Sequence, residues 1–234
     1  MKLEICANSY QSAINAQKAG AHRIELCSEL SVGGITPSYG LLKKVSRDLI
    51  IPVNVLIRPR SGDFTYSDDE FDIMKENIQL CKKLGVAGIV SGVLFSDNTL
   101  DIERTQELVE ISKPMNFTFH RAFDVVSNPK ETLKELINSG VDRVLTSGQK
   151  EKAEDGIELL SELQKIAKNK IIILAGSGIN PDNAKIFKVG GLKEIHTSAS
   201  KKNYPKNDSY FGKTVQTVSD IQTIKDILIA LKNA

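Results

Sequence analysis

The chain has 234 residues, 41% hydrophobic and 26% charged, which is the make-up of a folded globular protein and excludes a disordered one. Its 31 Lys and Arg against 29 Asp and Glu leave a formal net charge of +2, so the balance points to neither nucleic acid nor a membrane as partner. No apolar run approaches the ~18 residues needed to span a bilayer.

Met1-Lys2-Leu3-Glu4-Ile5 enters a strand pattern directly, with no apolar leader before it, so a cytoplasmic location is expected. Three cysteines, Cys6, Cys27 and Cys81, make an odd count that suits reduced thiols better than a disulfide framework. Further strand patterns follow at 23–28, 53–58, 88–94, 116–123, 143–147, 171–175 and 194–198, making eight with the first at 3–8. Helical spacing separates them, as in Phe71, Met74, Ile78 and Cys81, or Leu133, Leu136 and Ile137. Strands divided by helices pair in parallel through right-handed crossovers.

A weak repeat sharpens the topology. Gly20-Ala21, Gly85-Val86, Gly140-Val141 and Gly191-Leu192 each close a helix just before the second, fourth, sixth and eighth strands. A left-handed Gly cap followed by an apolar residue folding back on the helix explains the pattern. An open doubly wound sheet shares the alternation but has no need of the even-numbered repeat. The expected fold is therefore α/β, a single (β/α)8 TIM barrel over residues 1–234. Residues 199–216 are rich in Lys, Asn, Gly and Tyr and read either as a lid or as a plain surface loop before a last helix near 219–231.

Polar residues late in core-like strands face the mouth of such a barrel, where its chemistry is done. Glu25, Arg58, Arg60, His120, Asp124 and His196 form that set, with Glu4 and Cys6 sharing a face in the first strand. Taken singly, a strand-end Glu or Arg could close a salt bridge and a histidine could be structural, as His22 is at its helix–strand turn. Gly176, Ser177 and Gly178 after the seventh strand, with Ser198 after the eighth, suit a small anion, although tight turns also use such residues. Thr146-Ser147-Gly148-Gln149 is a similar small turn after the sixth strand.

Cys6 and Cys27 hold equivalent places in adjacent strands, so their sulfurs could approach one another. Two soft thiolates would suit Cu(I), while buried free cysteines also serve as small hydrophobes. No zinc-type Cys/His spacing occurs, and Cys81 sits on a helix where packing accounts for it.

At these residues the chain closely resembles the CutC family. The matching blocks include Leu3-Glu4-Ile5-Cys6, Arg23-Ile24-Glu25-Leu26-Cys27, Ile57-Arg58-Pro59-Arg60-Ser61-Gly62-Asp63-Phe64, Phe119-His120-Arg121-Ala122-Phe123-Asp124 and Glu194-Ile195-His196-Thr197-Ser198. The resemblance implies a cytoplasmic barrel, a homo-oligomer, with a role in copper homeostasis and with Cys6 and Cys27 as the metal-associated residues.

Two functions stay open at this point. In one, Cys6 and Cys27 hold Cu(I). In the other, the mouth is the site of an isomerase, epimerase or lyase acting on a small phosphorylated or anionic metabolite. There Arg58 and Arg60 would clamp the anion, and His120 or His196 would act as acid or base, oriented by Asp124 or Glu25. The Gly176-Ser177-Gly178 turn would hold a phosphate. No strand-end lysine stands where a Schiff-base enzyme would want one.

Overall fold

A computed structural model describes residues 1–203 and 216–232. Eight parallel strands close in sequence order: β1 (Lys2–Ala7), β2 (Arg23–Leu26), β3 (Val53–Leu56), β4 (Gly88–Ser91), β5 (Asn116–Phe119), β6 (Arg143–Thr146), β7 (Ile172–Gly176) and β8 (Glu194–Thr197). β8 pairs back onto β1 with Glu4 opposite His196, which completes the barrel. Helices α1 (Tyr10–Ala19), α2 (Tyr39–Asp48), α3 (Asp68–Lys83), α4 (Ile102–Ser112), α5 (Pro129–Asn138), α6 (Ile157–Ala167), α7 (Ala184–Val189) and α8 (Ile221–Lys232) surround it. This is the (β/α)8 architecture that the alternation predicts.

Local sequence explains the helix boundaries. α3 opens on a capping box between Ser67 and Glu70, with Asp68, Asp69 and Glu70 in its first turn and Lys82 and Lys83 in its last. Gly20, Gly85, Gly140 and Gly191 all adopt the left-handed conformation, so the fourfold repeat is a repeat of helix stops.

The strands face two ways. Their outer residues, among them Leu3, Ile5, Ile24, Val55, Phe117 and Val144, join the helices' Ala13, Met74, Ile78, Leu136 and Leu163 in one large apolar core. Their inner residues are far more polar than such a barrel needs. Glu4, Arg23, Asn54, Thr118, Arg143 and Glu194 are buried at the floor, with Cys6, Glu25 and His196 above them. A small apolar cluster of Cys6, Cys27, Leu56 and Val90 lies beside that second tier.

Six strands, β2 to β6 and β8, are shorter than their patterns, and two of these matter for the site. β3 ends at Leu56 rather than running to residue 58. β5 ends at Phe119, because the His120 side chain accepts the Ala122 amide and starts a 3-10 turn over Arg121–Val125. At the two ends of the stretch read as a lid or a surface loop, β9 (Ser200–Asn203) and β10 (Gln216–Ser219) form an antiparallel pair, while 204–215 lie outside the described residues. No described helix is long and apolar enough to cross a membrane.

Candidate functional site at the barrel mouth

The site rests on a buried ionic floor. Glu4 accepts hydrogen bonds from Arg23 and from Asn54 Nδ2, the latter at 3.0 Å. Glu194 Oε2 accepts from Arg23 Nη2 at 2.6 Å and from Arg143 Nε at 2.8 Å. Two carboxylates thus face two guanidinium groups, which is the condition under which such charges survive burial. Burial alone would raise the Glu4 carboxyl, but Arg23 and the hydrogen bond from His196 outweigh it and hold Glu4 well below the usual carboxylate range.

The second tier stands on that floor. His196 Nδ1 lies 2.8 Å from Glu4 Oε1. Burial works against a charged His196, yet Glu25 and Glu4 raise its pKa above the ordinary value. Burial pushes the Glu25 carboxyl up to about 7 against the pull of His196, with Glu4 adding to the rise. Cys6 Sγ lies 3.6 Å from Cys27 Sγ and 3.8 Å from Glu25 Oε1. Its contact with Cys27, burial and the nearby carboxylates all push the Cys6 thiol well up. Cys6, Glu25 and His196 each offer a ligand atom, and these atoms lie within 4.8 Å of one another. Glu25 Oε2 is buried with no hydrogen-bond partner.

Above this tier a cavity of about 700 Å³ opens between the strand ends. Cys6, Glu25, Arg58, His120, Asp124 and His196 line it, as do Ser177, Gly178 and Ser198. Arg58 is 6% exposed. Its Nη1 donates to the carbonyls of Val32 and Gly34 at 2.9 and 3.0 Å, and its Nη2 to that of Gly62 at 2.7 Å. His120 Nδ1 accepts the Ala122 amide, which assigns the ring proton to Nε2, and Nε2 has no partner. Burial, then the Arg58 charge, depress the His120 imidazole to about 3, so it is neutral at ordinary pH.

Other expected members stand elsewhere or do other work. Arg60 pairs with Glu70 at 2.6 Å and Asp63 at 3.0 Å, its side chain 38% exposed. The in–out alternation stops with β3, so Arg60 does not follow Arg58 into the mouth. Asp124 lines the cavity but does not orient His120. Its carboxylate accepts from Thr146 Oγ1, the Ser147 amide and hydroxyl, the Gln149 amide and Arg121, and so pins the loop after β6. Ser177 Oγ turns to the Glu151 carbonyl at 2.7 Å, and Ser198 Oγ meets Ser200 Oγ at 3.1 Å. Gly176 has a packing role as well, since a Cβ there would lie 2.6 Å from Leu145 Cδ1. Cys27 lies behind Cys6, fully buried and outside the cavity lining.

The floor of Glu4, Arg23, Arg143 and Glu194 was not singled out as a set from the sequence. Its signal is the repeat itself, because Arg23, Arg143 and Glu194 fall at the same step after Gly20, Gly140 and Gly191.

The CutC family model matches residues 1–201. A CutC family protein of Enterobacter sp. (strain 638) is 47% identical over 199 residues, covering 85% of this chain and 80% of that protein. One from Salmonella typhi is 46% identical over 198 residues, 84% of this chain and 76% of that protein. A solved structure of a proposed copper homeostasis protein CutC from Streptococcus agalactiae superposes with a TM-score of 0.81 and 35% identity, covering 85% of this chain and 98% of that one. The aldolase QR15, at 13% identity and a TM-score of 0.60 over 80% of this chain and 81% of that one, shares the barrel fold alone.

Proposed function

The chain belongs to the CutC family, and from that premise we propose that it serves copper homeostasis by holding Cu(I) between Cys6 and Cys27 at the base of the barrel mouth. The observation that carries the reading is the 3.6 Å approach of the Cys6 and Cys27 sulfurs, with Glu25 and His196 gathered on the cavity side of Cys6 and Glu25 Oε2 left unpartnered.

The donors fit the ion in kind and in spacing. Thiolates are the ligands that a soft monovalent copper prefers. Two sulfurs on one metal centre with bonds of ~2.3 Å lie about 4 Å apart, and the sulfurs here are already 3.6 Å apart. Glu25 or His196 would complete the set from the cavity side.

The residues also explain why the thiols wait for a cation. Each neighbouring carboxylate disfavours a Cys6 thiolate, which keeps that thiol protonated. Bound Cu(I) supplies the positive charge that makes two adjacent thiolates tolerable. Glu25 Oε1, 3.8 Å from Cys6 Sγ, is placed to take up a thiol proton. Cys6 lines the cavity and is the sulfur that an entering ion meets first, with Cys27 behind it. The reading goes with a cytoplasmic setting, where free cysteines remain thiols.

Competition of the protein with a Cu(I) chelator tests it. One tight equivalent is expected for the wild type and none for the double variant Cys6→Ser, Cys27→Ser. Unchanged stoichiometry and affinity in that variant would overturn the assignment.

A further inference from the structure

Charges inside the barrel balance tier by tier, with one exception. Glu4 and Glu194 meet Arg23 and Arg143 on the floor, and Glu25 faces His196 above them. Arg58 forms no ion pair among the described residues; its guanidinium donates to three loop carbonyls and lies over the Phe64 ring. A guanidinium withdrawn from water without a counter-charge is costly, and carbonyl dipoles do not neutralise it. Its neighbour Arg60, by contrast, has two carboxylates.

A second unmet demand lies beside the first. The buried Nε2–H of His120 donates to nothing, although buried donors are nearly always paired. The Phe64 ring links the two groups, lying 4.9 Å from the His120 ring and 5.1 Å from Arg58 Cζ. Both residues line the same cavity, and its volume of about 700 Å³ is what small organic ligands occupy rather than what a single ion needs. Leu30, Val32, Phe64, Val125 and Ile179 give that cavity apolar walls.

We propose that the upper mouth is a binding site for a small organic anion, whose carboxylate or phosphate oxygens are taken by Arg58 and the His120 Nε2–H while its apolar body lies against Leu30, Val32 and Phe64. The anion supplies the missing counter-charge and the missing acceptor together. A purely structural Arg58, pinning the loops through Val32, Gly34 and Gly62, would satisfy neither. The site adjoins the thiol pair in the same cavity but takes the anion on different groups, Arg58 and His120.

Titration of histidine-labelled protein with sodium benzoate and with phenyl phosphate, against sodium chloride at matched ionic strength, tests the proposal by the NMR signal of the His120 ring. A saturable one-to-one shift is expected with at least one of the two, and the tighter binder shows whether carboxylate or phosphate is preferred. Read by isothermal titration calorimetry, which needs no histidine signal, His120→Phe and Arg58→Met should each weaken binding about tenfold or more. Should Arg58→Met fail to fold, Arg58→Lys serves, keeping the charge but losing the planar fork, with a smaller loss of affinity expected. The absence of a saturable shift with both probes, an equal shift with chloride, or variants that bind as tightly as wild type would each overturn the proposal.

Discussion

Glu4 Oε1 lies 2.8 Å from His196 Nδ1, and the same carboxyl group also takes hydrogen bonds from Arg23 and Asn54. The ion cluster at the bottom of the barrel therefore fixes the ring that faces Glu25 and Cys6. Floor and mouth are one hydrogen-bonded unit, and damage to the floor should reach the site.

Glu4→Gln keeps the shape of the side chain but removes the charge that Arg23 and His196 face. Breaking one partner out of a buried ion pair costs about 3–5 kcal/mol, so urea denaturation should show a loss of that order. Cu(I) affinity should fall with it, because the His196 ring loses its anchor. A variant as stable as wild type would show that floor and mouth are not coupled.

Acid should destabilise the fold partly through His120. Its pKa is about 3 in the folded chain against an ordinary 6.5. Its contribution is complete above pH 6.5 and is lost as pH falls toward 3, because the unfolded chain takes up the proton first, at up to about 1.4 kcal/mol per pH unit. Glu25 acts with the opposite sign, since its raised pKa gives stability below 4.5 that is lost as pH rises through about 7. The difference between wild type and His120→Phe isolates the histidine. Urea melts between pH 6.5 and 4.5 should show the shallower decline with acid in the variant, and equal slopes would contradict the buried neutral imidazole.

Gly34→Ala tests the packing around the thiols. Gly34 has φ +90°, and a Cβ there would lie 2.8 Å from Leu56 Cδ2 and 3.4 Å from Cys27 Cβ. Strain and overpacking together should cost about 1–3 kcal/mol and weaken Cu(I) binding by moving Cys27. Gly40→Ala is the control. It lies in α2 with no atom within 4 Å of the added carbon, and thermal denaturation should show it neutral or slightly stabilised.

Arg60→Ala should do little. Its ion pairs with Asp63 and Glu70 are partly exposed, and such pairs contribute about 0–1 kcal/mol. Titration with benzoate or with Cu(I) should give wild-type affinities, whereas a tenfold loss would return Arg60 to the site.

The architecture was legible because period and punctuation agreed. Eight strand patterns and four left-handed glycine stops each mark the same elements, and burial of strand residues on both faces left little freedom in their order. The approach of Cys6 and Cys27 was legible only in part: the register sets Cys6 opposite Glu25, so the two cysteines meet on a diagonal, Cys27 lying two residues beyond the partner of Cys6, rather than at equivalent positions. Alternation misled at Arg60, because it holds only while a strand continues and β3 stops at Leu56. Asp124 or Glu25 is expected to orient a histidine, but a 3-10 turn directs Asp124 to the loop after β6 and Glu4 holds His196. The floor of Glu4, Arg23, Arg143 and Glu194 stayed hidden because it joins β1, β2, β6 and β8 across the lumen. Cross-lumen contacts depend on barrel closure, which no local pattern contains.

X-ray absorption at the copper edge of the Cu(I)-loaded protein tests the central claim most directly. Two sulfur neighbours with one lighter nitrogen or oxygen neighbour are expected, with loss of both sulfurs in the Cys6→Ser, Cys27→Ser protein. A first shell of nitrogen and oxygen alone in the wild type would contradict it.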